Sequence, residues 1–177
     1  MILDLLRHGE PQGGRMYRGH LLDDPLTEKG WRQMQKSTAG KNWDLIATSP
    51  MLRCIDFAKH LSKTKNIPLL EIDDLKEIGF GVWQGKSANQ IGQDLVNQFK
   101  SDPIGYIPQG AEKLENFKCR IVLALEQIKQ QTNQDGRVLI VAHAGVIRMI
   151  KSNILNLPIE KMFTIEVIAG SCERFEI

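Results

Sequence analysis

The run Arg137-Val138-Leu139-Ile140-Val141-Ala142 constrains this chain more than any other stretch. Apolar at every position after the first, it reads as a strand covered on both faces, which is how strands lie in a parallel sheet. His143-Ala144-Gly145 follows directly, and a mostly apolar helical pattern then runs from Val146 to Leu155. The same order opens the chain. Ile2 to Leu6 is an apolar run interrupted only by Asp4, and it ends at Arg7-His8-Gly9. Between these two strands the pattern alternates. Thr27 is placed to cap a helix reaching about Gly40, and Leu45 to Thr48 reads as a strand. Ser49-Pro50 then offers an N-cap with proline in the first turn, and Met51, Cys54, Ile55, Ala58 and Leu61 recur at helical spacing. Pro68 to Ile72 suggests a third strand. Residues 73 to 111 are irregular and rich in Gly and Pro, with a short helix expected at 87 to 99. Leu114, Phe117, Ile121, Leu125 and Ile128 mark a further helix, and Phe163 to Ile177 leaves room for one or two strands. Strands alternating with helices predict a three-layer α/β/α sandwich with a mostly parallel sheet, in one domain over residues 1–177.

Charge narrows the partners. Lys plus Arg number 23 against 21 Asp plus Glu, a net charge of +2, which lacks the basic excess of a nucleic-acid or membrane-surface binder. The N-terminus reads as a strand with an acid at position 4, not as a signal peptide. Cys54, Cys119 and Cys172 have no metal-ligand spacing and read as free thiols of a reducing compartment. A cytoplasmic domain acting on a small molecule is expected.

His8 and His143 each follow a strand, and in parallel α/β sheets ligands bind at the carboxyl ends of strands. Taken singly, either histidine could equally be bonded to a carbonyl for structural reasons. Arg7 precedes His8, and Arg53 lies in the first turns of the helix after the second strand. Together the four would surround one cleft with two guanidinium forks and two imidazoles, a set that matches phosphate oxygens. The helix beginning near Ala144 would add backbone N–H groups aimed at an anion. No GxxxxGK[ST] loop is present, and His8, His20, His60 and His143 have no metal-binding spacing. Ser152 and Ser171 lack a nucleophile-elbow context, and Cys54 falls on the apolar face of its helix. A ring nitrogen of histidine is left as the group able to accept a phosphoryl covalently.

Five blocks then carry a resemblance. They are Leu5-Leu6-Arg7-His8-Gly9-Glu10, Pro25 to Gly30, Thr48 to Cys54, Leu75 to Gly85 and Val141 to Arg148. In this order they resemble the histidine phosphatase superfamily, also called phosphoglycerate-mutase-like. The resemblance implies that His8 is the nucleophile, that Arg7, Arg53 and His143 complete the phosphate pocket, and that Glu77 is the proton donor. Residue type alone does not choose Glu77 over Glu71, Asp73 or Asp74. Where many members carry Thr or Ser three residues after the histidine and Asn six after it, this chain has Pro11 and Gly14. That contact is left to backbone at Gly14, to Arg15, or to nothing. Ala144 stands where Gly is common and keeps its N–H.

Residues 10 to 26 resemble the α-ribazole-5′-phosphate phosphatases of cobalamin biosynthesis, which implies that Tyr17, Arg18 and His20 line the leaving-group side; an ordinary Gly-rich surface loop with solvated cations is the equal alternative. Phe80 and Trp83 would either contact an apolar ring or belong to the core. The expected activity is a phosphomonoesterase without metal or cofactor. A phosphoglycerate mutase, another sugar or protein phosphatase, and a non-catalytic phospholigand-binding module stay open as alternatives. The short stretch after the last strand leaves little for the lid that a mutase needs, which favours a phosphatase.

Overall fold

The computed structural model describes all 177 residues. Its sheet has the order β3-β2-β4-β1-β5. The strands are β1 (Ile2–Arg7), β2 (Leu45–Thr48), β3 (Leu69–Glu71), β4 (Arg137–Ala142) and β5 (Cys172–Glu176). β1, β2, β3 and β4 run parallel to one another, and β5 runs antiparallel along β1. The mostly parallel α/β sandwich expected from the sequence is the fold observed. Six α-helices accompany it: α1 (Glu28–Thr38), α2 (Leu52–Lys65), α3 (Ala88–Ile91), α4 (Gln93–Ser101), α5 (Leu114–Gln130) and α6 (Ala144–Ile154).

Period-two alternation sorts the strand residues onto two faces. Leu3, Leu5, Leu45, Ala47, Val138 and Ile140 face α5 and α6 in the larger core, with Phe117, Ile121, Val146 and Ile150. Leu6, Ile46, Leu139 and Val141 face the other way and meet Met34 of α1 and Cys54, Phe57 and Leu61 of α2. Asp4, the one acid in β1, lies buried on this second face. Its carboxylate accepts from Trp43 Nε1 at 2.8 Å and from Arg174 Nε and Nη2 at 2.9 Å each. Those bonds, led among the favourable contributions by Arg174, hold its pKa below the usual carboxylate value although burial opposes them.

Several boundaries move. Thr27 caps α1 as expected, its hydroxyl accepting from Gly30 N–H. Helix α2, in contrast, starts at Leu52 rather than Pro50, and Asp23 Oδ1 accepts the Leu52 N–H at 2.7 Å from outside. Ser49 is not its cap. The short helix foreseen at 87–99 is two helices broken at Gly92, whose φ of 102° a side chain would strain. Strand β3 covers only Leu69–Glu71, and the C-terminal stretch gives one strand. No helix is long and apolar enough to cross a membrane.

Candidate active site

The sheet itself brings the two histidines together. β1 and β4 pair up to Arg7 with Ala142, and the next rung is His8 N–H donating to Ala142 O at 2.9 Å. His8 and His143 thus leave adjacent strands side by side, with ring centroids 5.2 Å apart and planes at 64°. His8 Nδ1 lies 2.8 Å from Gly9 O. A carbonyl only accepts, so the ring proton sits on Nδ1 and Nε2 keeps its lone pair. Burial, then the charges of Arg53 and Arg7, push the His8 pKa down to about 3. The ring is neutral with one bare nitrogen.

The loop around it is held by backbone. A Cβ on Gly9 would stand 2.0 Å from Gly30 O, so the turn after β1 and the first turn of α1 touch main chain to main chain.

His143 is fully buried, and both its ring nitrogens face protein. Arg53 Nε donates to Nδ1 at 3.2 Å, which places the ring proton on Nε2, 2.8 Å from Ser49 Oγ. Burial, reinforced by Arg53, holds its pKa well below the ordinary value. In this arrangement neither nitrogen is free for a phosphoryl oxygen, contrary to expectation. The ring instead fixes Arg53. Ser49, whose hydroxyl also accepts from Met51 N–H at 3.3 Å, is a participant that sequence reasoning placed only as a helix cap.

Arg53 is 1% exposed and ties three parts of the chain together. Besides His143 it donates from Nη1 to Leu22 O and from Nη2 to Gly19 O, each at 2.9 Å. Those three bonds leave two of its five N–H groups for a ligand. Arg7 donates from Nη1 to Val167 O at 2.6 Å, while its Nε is buried without a partner. Burial lowers the Arg7 pKa, the Glu77 carboxylate opposes this, and Arg148 and Arg15 add to the lowering. An unpartnered buried N–H in a cluster of cations has its natural complement in an anionic oxygen.

Glu77 comes from the irregular segment after β3. Its Oε1 accepts from Ile78 N–H at 3.0 Å and its Oε2 from Gly145 N–H at 3.2 Å. The N-terminus of α6, expected to face a ligand, is therefore partly taken by this carboxylate. A Cβ at position 145 would fall 2.3 Å from Glu77 Oε1, so the glycine there makes room for the acid. Ala144 remains at the helix start beside it.

The loop of residues 12–24 differs most from expectation. Arg18 is 8% exposed and not directed at a ligand: it pairs with Asp24 at 2.8 Å and donates to Gln12 O and Gly14 O. It is a strut that fastens the loop to itself. Gly14, exposed with a φ of 78°, spends its carbonyl on that strut. Arg15 stays exposed, and its charge reaches Arg7 and Tyr17. Tyr17 is half-buried, edge-on to Phe80 at 5.0 Å and Trp83 at 5.6 Å. Phe80 and Trp83 are core residues, so of the three only Tyr17 is placed partly in the open. His20 lies over the acid's own peptide, its Nδ1 3.2 Å from Glu77 O.

Arg148 joins the site unannounced. It lies one helical turn beyond Ala144, donates from Nε to Ile165 O at 2.9 Å, and has the Glu77 carboxyl group and the Tyr17 phenol as electrostatic neighbours. The i, i+4 spacing on α6 was the signal that could have found it.

Comparison with known proteins agrees with this geometry. The sequence profile of the histidine phosphatase superfamily (branch 1) matches residues 3–177. An adenosylcobalamin/alpha-ribazole phosphatase of Escherichia coli (strain K12) is 26% identical over 185 residues, spanning 100% of this chain and 90% of that protein. A 2,3-bisphosphoglycerate-dependent phosphoglycerate mutase of Rhizobium etli is 28% identical, spanning 93% of this chain and 85% of its own. The crystal structure of the alpha-ribazole phosphatase from Shigella flexneri superposes with a TM-score of 0.84 at 26% identity, covering 100% of this chain and 91% of the other.

Proposed function

The chain belongs to the histidine phosphatase superfamily (branch 1), and on that premise we propose that it is a metal-independent phosphomonoesterase working through a phosphohistidine at His8. The observation that carries this reading is the tautomer of His8: a buried, neutral ring with Nδ1–H given to Gly9 O and Nε2 bare. The Nε2 lone pair forms the N–P bond as the P–O bond to the substrate alcohol breaks. The leaving oxygen takes a proton from the Glu77 carboxyl. Nδ1 keeps its proton throughout, so the phosphorylated ring is cationic and its N–P bond is readily broken. Glu77, now ionised, takes a proton from water as the water oxygen attacks phosphorus. The electron pair returns to Nε2, and orthophosphate leaves. Arg7, through its free Nε, and Arg53, through its two open N–H groups, stabilise the charge spread over the phosphoryl oxygens. His143 holds Arg53 in register for that task.

The test is direct. Brief mixing with ³²P-labelled p-nitrophenyl phosphate, stopped by denaturation, should trap label on His8 that survives base and is lost in acid. Label on a serine or cysteine, or none at all with turnover intact, would overturn the mechanism. Turnover itself excludes the reading as a mere phospholigand-binding module.

For the substrate we favour α-ribazole 5′-phosphate, supported by the names of two relatives and by the Gly-rich loop of residues 10–26. Tyr17 would meet the apolar ring. A second reading has a specific observation behind it. Arg148 adds positive charge beside Glu77, and Arg15 adds it beside Arg7 and Tyr17, which suits an alcohol bearing its own acid group. kcat/KM for α-ribazole phosphate, ribose 5-phosphate and 3-phosphoglycerate decides between them. A ring-binding pocket should favour the first over the bare sugar phosphate by about 10–200-fold. A win for phosphoglycerate selects the second reading. We also assign residues 1–177 to one catalytic domain, and its three free cysteines suit the reducing cytoplasm.

A further inference from the structure

The segment that carries Glu77 has almost no secondary structure of its own. After a single 3-10 turn at Asp73–Leu75, the chain passes through residues 76–79 without a helix or strand to satisfy its backbone. Such a segment needs outside partners for its polar groups. One side chain supplies most of them. Arg120, on α5, donates from Nη1 to Asp74 O at 2.5 Å and to Lys76 O at 2.7 Å, and from Nη2 to Glu77 O at 3.3 Å. Its Nε and Nη2 meet the two oxygens of Glu112 at 2.7 and 2.9 Å. All five N–H groups of the guanidinium are thereby used. Glu112 closes the clamp: its Oε2 accepts from Gly79 N–H at 3.2 Å, and its own N–H donates to Gly79 O at 2.9 Å. The Phe117 ring lies under the guanidinium, 4.6 Å from Cζ to centroid, and fixes its plane.

We propose that the Arg120–Glu112 pair is the positioning device for the proton donor, holding Glu77 at the reacting oxygen through the carbonyls on either side of it. The proposal rests on the reading of Glu77 as general acid. Neither residue touches substrate. Each is partly buried, with side chains 18% and 16% exposed, so the pair is shielded from solvent that would otherwise weaken it. Lysine at 120 would keep the charge but present one point donor group where the loop needs a planar fork. The backbone from 74 to 79 would relax, and the carboxyl would drift from the leaving oxygen while His8, Arg7 and Arg53 stayed in place.

The experiment compares a substrate that needs its leaving group protonated with one that does not. Arg120→Lys and Glu112→Gln are assayed on an alkyl phosphomonoester and on p-nitrophenyl phosphate, with inorganic phosphate as competitive inhibitor. A displacement of about 1 Å in a catalytic group costs on the order of 100-fold. The expected result is a fall in kcat of roughly 10–100-fold on the alkyl ester. On p-nitrophenyl phosphate the change should stay within about 3-fold, because a good leaving group needs little protonation. The inhibition constant of phosphate should hold. In a Glu77→Gln background Arg120→Lys should add almost nothing on the alkyl ester. Equal losses on the two substrates, weakened phosphate inhibition, or full additivity with Glu77→Gln would overturn the proposal and leave the clamp a structural tie. Should Arg120→Lys fail to fold, Glu112→Gln carries the same comparison, since it removes the carboxylate charge that sets the angle of the fork and receives the Gly79 N–H. A Glu77→Gln enzyme that loses both substrates alike removes the general-acid reading itself. That outcome is distinct from one in which Glu77→Gln discriminates and the Arg120 variant does not.

Discussion

The two sides of this active site are built by different means. His8 and His143 are placed by strand pairing: consecutive rungs of β1 and β4 set their backbones, and the rings follow. Glu77 stands on a segment with no ladder, kept in place by Arg120 reaching in from α5, by Glu112 just before that helix, and by the first turn of α6. A sheet distributes its strength over many bonds. A tied loop depends on a few. The placement of the nucleophile should therefore survive truncation of neighbouring side chains better than the placement of the acid does.

Removing the nucleophile tests the comparison hardest. His8→Ala should lower kcat by about four orders of magnitude or more on every substrate, as loss of a covalent catalyst does. Residual activity near wild type would mean that the strand-end side is not where the chemistry begins. Glu77→Gln comes next: a loss of about 10²–10⁴-fold on alkyl phosphates, much smaller on p-nitrophenyl phosphate. Steady-state rates across a series of leaving groups of graded pKa read this as a steepened dependence, and a parallel shift of the whole series would speak against an acid role.

A smaller effect is expected at Ser49. Ser49→Ala leaves the buried Nε2–H of His143 with only the weak acceptor Cys54 Sγ at 3.7 Å, at a cost of about 1–3 kcal/mol. For a chain of this size, at about 2–4 °C per kcal/mol, that corresponds to a Tm lower by roughly 2–12 °C. A thermal melt unchanged within a degree would show that the strand-end side does not depend on the hydroxyl.

Acid should act on the same side. His8 titrates at about 3 when folded and near 6.5 in the unfolded chain, with burial as the main cause, and His143 is displaced in the same direction. Below pH 6.5 the unfolded state takes up protons that the folded state refuses, so this contribution to stability is complete above 6.5 and is lost as pH falls toward 3. Urea midpoints measured from pH 8 to 4 should be flat first and then decline. His8→Ala should decline less steeply. The smallest expected effect is none: EDTA should leave turnover unchanged, because guanidinium groups supply the positive charge. Loss restored by one divalent ion would reassign the site.

What the sequence revealed follows this division. Arg7, His8, Arg53 and His143 were legible because an apolar run that stops at a polar residue marks a strand's carboxyl end, and such ends converge in a parallel sheet. Glu77 could not be selected from Glu71, Asp73 and Asp74 by residue type, since its distinction is a bond to Gly145 N–H far along the chain. Only the resemblance found it. Arg18 was misjudged because an arginine among glycines looks solvated, whereas the turns of that loop bring Asp24 and two carbonyls to it. Helix α2 was started too early because its cap comes from Asp23 in another loop. Contacts from a side chain to a distant backbone leave no period in the sequence.

The contact between Gly9 and Gly30 has a consequence for how this chain can vary. His8 holds its proton on Nδ1 because Gly9 O is there to receive it, and Gly9 is kept in position by main chain lying against main chain. The other edge of the same peptide is tied by one side chain, Gln33, whose Oε1 accepts the Glu10 N–H at 2.9 Å. The protonation pattern of the nucleophile is thus written largely in the course of the backbone. What breaks it is an addition: one methyl group, at either glycine, wedges the two turns apart.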